Sequence, residues 1–212
     1  MQPSLSDSAR PEVSEHRVRM RFITSTPLNV VKGSGTFIGI KTLAMALRRL
    51  GVTVELVTPR VRFPILTLRR LIFNRMLSLH SEHGYHVTVG FDMDGYTLAG
   101  LSPGLHVASI KGVIADEMRF ETGITKATMQ VQAACERQHI RQADIVVTTS
   151  QYSSARVQEL YGISKGCHVL PEPINLSEWR SMLRLDQPQP DPGFCKLGIR
   201  GHRGCKALPS VR

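Results

Sequence analysis

The chain has 212 residues, 42% of them hydrophobic, and 27 Lys and Arg against 17 Asp and Glu give a formal charge of +10. That length fits one well-filled core and is short for two, and no stretch approaches the ~18 apolar residues of a membrane span. Aromatics are only 6%, and no basic face with interleaved aromatics is visible, which argues against a nucleic-acid partner.

Residues 1–16 are polar and carry Asp7, Glu12 and Glu15. They lack the apolar core of a secretory signal and read as a disordered tail. Val18 to Ser25 reads as a strand. A long loop, Thr26 to Lys32, then leads to Gly33-Ser34-Gly35-Thr36. Phe37, Ile40, Ala44 and Leu47 are spaced 3, 4 and 3, one face of a helix that stops at Gly51. Thr53 to Thr58 is a second strand, ended by Pro59. Ile65, Leu68, Ile72, Met76 and Leu79 mark a second helix, with Pro64 near its start. His86 to Phe91 and His106 to Ile110 are the third and fourth strands. A polar helix is expected over Thr125 to Gln142. Asp144 to Thr149 follows as a β-branched strand, then a helix capped by Ser153 and running to Tyr161, then a short sixth strand from Cys167 to Leu170. Strands separated by helices imply an α/β fold: a Rossmann-like, doubly wound and mostly parallel sheet with helices on both faces. The expected organisation is a tail over 1–16, one domain over 17–185, and a linker with a disordered basic tail over 186–212. The Pro-rich run Gln187 to Gly193 marks the linker. All 17 acids lie at or before Asp191, and Phe194 to Arg212 adds five Lys or Arg, so half of the net charge belongs to that tail.

In such folds ligands bind beyond the carboxyl ends of the strands, which selects the candidate site residues. Gly33, Ser34, Gly35 and Thr36 lie between strand and helix, where backbone N–H groups suit a phosphate or a sugar hydroxyl. Their spacing, with Gly39, is G-x-G-x-x-x-G after a long loop, which does not match the dinucleotide fingerprint. Asp92 and Asp94 follow the third strand and can accept sugar hydroxyls; an ordinary Asx turn is the alternative. Lys111 follows the fourth strand and suits a phosphate, or is a solvated lysine. Asp116 and Glu117 are placed to open a helix. Ser150 lacks a G-x-S-x-G setting and reads as a cap. Glu172 follows the sixth strand. His80, His83 and His86 straddle a turn, and the scattered Cys135, Cys167, Cys195 and Cys205 form no C-x-x-C pair, so no metal is expected. A reducing, cytoplasmic setting follows from that cysteine usage. The stretch from Arg60 to His80 has five Arg and no acid, which suits either a core helix with a basic face or peripheral contact with anionic lipid.

Three segments, GSGTFIGIKTLAMALRRLGVTVELVTP, ERQHIRQADIVVTTSQYSSARVQELYGI and CHVLPEPINLSEW, resemble in their order the N-terminal domain of glycosyltransferase family 4, the retaining transferases of GT-B fold. The resemblance covers about residues 18–180. It implies an acceptor-side domain, with Gly33, Ser34 and Gly35 facing the donor phosphates and Lys111 where members often carry a histidine. It also implies a nucleotide-diphosphate sugar as co-substrate, no further cofactor, and a glycan or lipid acceptor. The chain contains no E-x7-E, the motif of the family's donor-binding domain. The expectation is therefore an apparently truncated enzyme, inactive alone, whose partner is a separate donor-binding domain. A non-catalytic binding module or accessory subunit is the alternative.

Overall fold

A computed structural model describes residues 17–26, 35–59, 64–79, 84–101 and 103–183. The tail expected over 1–16, the linker and tail over 186–212, Gly33, Ser34, His80, His83, Arg60 and Arg62 lie outside the described residues. The chain divides into a large unit, Met1–Ile174, and a small one, Asn175–Arg212.

The large unit alternates strands and helices. In chain order these are β1 (Arg19–Ile23), α1 (Gly35–Arg49), β2 (Thr53–Val57), α2 (Leu66–Leu79), β3 (Val87–Phe91), β4 (Leu105–Ile110), α3 (Ile114–Glu117), a 3-10 turn (Met118–Phe120), α4 (Gly123–Gln142), β5 (Ile145–Thr148), α5 (Gln151–Tyr161) and β6 (His168–Val169). The small unit contributes α6 (Leu176–Met182), capped by Asn175, whose side chain accepts from the Glu178 N–H. The six strands form one sheet in the order β2-β1-β3-β4-β5-β6, and every described pair is parallel. This is the Rossmann-like arrangement that the alternating pattern implies.

Strand periodicity decides which helix covers which face, because neighbours on a strand point to opposite sides. Phe22 packs in a cluster with Ile40 and Ala44 of α1 and with Val54, Val89 and Phe91. Ile23, one residue on, packs with Phe73 of α2 and Leu98. On the same side as Ile23, Ala108, Ile110 and Val146 pack with Ala133 and Ile140 of α4 and Val157 of α5. One face therefore carries α1 and the other carries α2, α4 and α5. Full burial of each Phe, Ile or Val side chain among them is worth roughly 1.5–3 kcal/mol.

The strand order turns at β1. The chain leaves β1 for β2 on one side and returns to β3 on the other, so the loops after β1 and β3 diverge. The crevice between them is the topological switch point, where ligands of open α/β sheets bind.

Local details differ from the sequence reading in two places. Of the two serines read as capping the helix after β5, Ser150 is the cap and Ser153 lies inside the helix, which starts at Gln151: the Ser150 Oγ accepts from the Ser153 N–H at 3.1 Å. The helix ends at Gly162, whose φ of 60° is easy only for glycine. The polar helix begins at Gly123 and is preceded by α3 and a 3-10 turn, which carry no periodic signal of their own because each is about one turn long.

Gly90 sits where no other residue fits. A Cβ there would press into the Asp94 carbonyl and lie 2.6 Å from Cε1 of His139. Gly90→Ala is expected to destabilise the fold by about 3 kcal/mol, read as a lowered urea midpoint with an unchanged m-value.

Candidate functional site

Each group on the carboxyl rim of the sheet owes its position to the end of one strand. The loop after β3 turns sharply. Asp92 adopts φ 54°, a left-handed conformation uncommon for a non-glycine residue. Three contacts hold it there. Its Oδ1 accepts from the Lys111 N–H at 2.8 Å, its side chain also meets the Gly112 N–H, and its carbonyl oxygen lies 2.6 Å from Nδ1 of His139.

Two residues on, Asp94 turns inward and is fully buried. Its Oδ2 accepts from the Ser25 N–H at 2.7 Å and the Ser25 hydroxyl at 2.6 Å, joining the end of β3 to the end of β1. Arg70 and Asn74 of α2 donate to the same carboxylate. Arg70 also donates to Oε1 of Gln132 at 2.9 Å, and Gln132 donates to the Thr67 hydroxyl at 2.8 Å. Burial works against the Arg70 charge, but Asp94 and Asp92 outweigh it and hold its pKa above the usual value.

Beside this network lies a pocket of about 640 Å³. Thr36 at the start of α1, Arg70, Asp92, Gly112 and Glu117 contribute to its wall, with Thr26, Thr67, Thr125, Thr128 and Gln132. Ile65, Leu66, Ile114, Ile124 and Met129 supply an apolar side. Ile65, Leu66 and Ile124 are more than half exposed. Burial pushes the Asp92 carboxyl above its ordinary range, Arg70 opposing. Burial and the neighbouring Asp92 and Asp116 raise Glu117 as well. The pocket thus combines one paired guanidinium, two carboxyls and several hydroxyls.

Behind the wall, α4 turns a polar face inward: Gln132, Glu136 and His139 are buried at i, i+4 and i+7. Oε2 of Glu136 accepts from the Ile114 N–H at 3.0 Å and from the Tyr161 hydroxyl. Its Oε1 is buried with no partner among the described residues. Burial first, and Asp92 second, raise the Glu136 pKa well above the usual glutamate value. Oε2 already accepts two bonds, so Oε1 is the oxygen open to a proton.

His139 forms a buried pair with His106, Nε2 to Nε2 at 2.9 Å. Burial lowers His106 to about 3 and His139 to about 4, so both rings are neutral. A carbonyl can only accept, so Nδ1 of His139 carries its proton and gives it to Asp92. Nε2 of His139 must then accept from His106, which leaves Nδ1 of His106 as a bare acceptor. That atom is buried without a partner among the described residues.

The candidates from sequence fall into six groups. Gly35 and Thr36 begin α1, and Thr36 reaches the pocket; Gly33 and Ser34 lie outside the described residues. Asp92 reaches the pocket, while every oxygen of Asp94 is engaged by protein donors. Lys111 and Glu172 are brought together as an ion pair at 2.6 Å. Ser150 caps α5. Asp116 lies within α3 and binds Tyr152, Arg156 and Arg119, which lowers its pKa, the Tyr152 bond contributing most. His86 accepts from the Arg19 N–H through Nδ1. The sequence reading missed Arg70, Gln132, Glu136 and His139. Among the described residues no group of three or more His, Cys, Asp or Glu is placed to hold a metal ion, and no helix is long and apolar enough to cross a membrane.

No family model matches this sequence, and no curated protein matches it.

Two measurements check this geometry. Nitrogen-15 shifts of the imidazoles are expected to show both rings neutral at pH 5.5, His139 as the Nδ1–H and His106 as the Nε2–H tautomer. Glu136 binds its proton more tightly folded than unfolded, so it costs stability as pH rises above its unfolded value of 4.5. The variant E136Q is therefore expected to gain on the wild type by up to about 1.4 kcal/mol per pH unit above that point, until the native carboxyl ionises. Urea unfolding across pH 4.5–8 reads the difference.

Proposed function

We propose that this chain is the acceptor-side, N-terminal domain of a retaining glycosyltransferase that uses a nucleotide-diphosphate sugar. The observation that supports the reading most is the wall of the pocket at the switch point. Hydroxyls, an amide and the Asp92 and Glu117 carboxyls converge there beside an apolar side. Carboxylates and amides accept and donate to sugar hydroxyls, and an apolar wall suits the C–H face of a sugar ring or a lipid chain. The order of the three sequence segments adds the family. In this reading the acceptor oxygen attacks the anomeric carbon as the bond to the diphosphate breaks, the hydroxyl proton passes to the departing diphosphate oxygen, and the new bond forms on the same face. Asp92 and Glu117 bind and orient the acceptor. Their raised pKa values suit groups that share a proton with a hydroxyl. The departing diphosphate is met by the start of α1, at Gly35 and Thr36, with Gly33 and Ser34 just before it in sequence and Lys111 as a further donor. The chain acts in the cytoplasm, with peripheral membrane contact through the basic, partly apolar surface of α2.

A second reading, a non-catalytic binding module or accessory subunit, is favoured by the state of the rim cations. Arg70 is paired with Asp94 and Lys111 with Glu172, so neither is poised to take up a leaving diphosphate. Mixing separates the two. A partner that supplies a donor-binding domain is expected to restore sugar transfer that the purified chain lacks. Persistent inactivity alongside acceptor binding selects the module.

Acceptor recognition is tested by calorimetry with simple glycosides. The variants D92N and E117Q are expected each to weaken binding about tenfold. Unchanged affinity in both would remove the pocket from the reading, and binding of NAD in place of uridine or guanosine diphosphate sugars would replace it with a dinucleotide binder.

A further inference from the structure

We propose that Lys111 forms an anion site that the protein's own Glu172 fills, and that a phosphate-bearing ligand binds by displacing this carboxylate. The lysine is set deliberately by its surroundings. It follows β4, its N–H bonds Asp92, and its carbonyl lies 3.5 Å from the Thr149 hydroxyl. Its side chain is only 9% exposed, and the ammonium sits 5.6 Å from the centroid of the Phe91 ring. Such a group has few ways to satisfy its charge other than a partner arriving from the rim.

That partner is Glu172, in the loop Pro171-Glu172-Pro173 after β6. Its carboxylate is seated against α1. A Cβ on Gly39 would collide with Oε2 of Glu172 and come within 3.1 Å of Oε1. The missing side chain at Gly39 is thus a cradle for an anionic group beside the second turn of a helix that has no acid in its first turn. Gly39 lies one turn beyond Thr36, and Gly112, next to Lys111, lines the same pocket, so the cradle borders the space a ligand would enter.

Arg70 and Lys111 differ in how readily they exchange partners. Arg70 is locked to Asp94, itself fully buried, and to Gln132. Glu172 is 37% exposed through its side chain and reaches Lys111 from a loop with a single ion pair. Swapping its carboxylate for a phosphate breaks one partly solvated contact and leaves the buried network intact. The inference deepens the proposed function and rests on its reading of an anionic co-substrate at this rim. Pyrophosphate as probe keeps the two separable, because it needs no sugar and no turnover.

The test is calorimetric titration of the full chain with inorganic pyrophosphate at constant ionic strength, for the wild type, E172A, E172Q and the double variant K111Q/E172Q. E172Q preserves size and keeps the test sound where E172A fails to fold. Both single variants are expected to bind pyrophosphate about tenfold more tightly than the wild type, and the double variant to lose that gain. Unchanged affinity in E172Q, or a gain that survives K111Q, overturns the proposal. Tight pyrophosphate binding by E172Q without any affinity for nucleotide sugars keeps the anion site and removes the glycosyltransferase reading instead.

Discussion

The carboxylate of Asp94 holds together the place where the sheet changes direction. An open parallel sheet splays its loops apart at the switch point, and nothing in the strand ladders closes that gap. Asp94 spans it: one oxygen receives both donors of Ser25 after β1, and the pair receives Arg70 and Asn74 from α2. Asn74 in turn accepts from the Gly95 N–H at 2.7 Å. A buried charge left without its partners costs about 3–5 kcal/mol, so the arrangement is close to all-or-none. The pocket wall inherits its shape from it, because Arg70 and Gln132 are placed by this network before any ligand is present.

A second layer of polar contacts supports the first from behind. Gln132, Glu136 and His139 lie along one stripe of α4, and each serves a different neighbour: α2, the Ile114 N–H with Tyr161, and the Asp92 carbonyl. Low-dielectric burial keeps the two histidines neutral and shifts Glu136 toward its protonated form. Neutral groups can be packed under a pocket that already contains Asp92 and Glu117 without adding to its negative charge. The left-handed turn at Asp92 is thereby held by an uncharged imidazole, and its geometry is insulated from pH changes in the neutral range.

The architecture was legible in the sequence because burial on both faces makes parallel strands continuous apolar runs, and the covering helices show their stripes. Val87–Phe91 and Ile145–Thr148 are such runs, and Phe37, Ile40 and Ala44 are such a stripe. The rim was legible only as positions. Asp92 and Asp94 are alternating carboxylates after a strand in either reading, and no local pattern says that one turns inward and the other lines the pocket; that depends on Ser25 and Arg70, 69 and 24 residues away. The inward face of α4 was invisible for the same reason. Gln, Glu and His on a helix look like a solvent face unless the groups that satisfy them are known. Lys111 and Glu172 were each found by strand ends, but their pairing depends on Gly39, whose role is an absence of atoms.

Charge on the rim is balanced locally, and that bears on what the rim can bind. Arg70 faces Asp94, Lys111 faces Glu172, and Asp92 and Glu117 remain on the pocket wall. A rim in this state attracts hydroxyls more than phosphates, because an incoming dianion meets two carboxyls and finds Arg70 and Lys111 engaged. In the proposed function, acceptor recognition and anion recognition therefore make opposite demands on the same few side chains. In the proposed exchange a single movable carboxylate reconciles them: with Glu172 in its cradle the rim favours neutral polyols, and with Glu172 displaced the Lys111 ammonium becomes a cation that an anion can reach without disturbing Asp94. The physical requirement is that the exchangeable pair be the partly solvated one and the fixed pair the buried one, and the 37% and 1% exposures of Glu172 and Asp94 satisfy it.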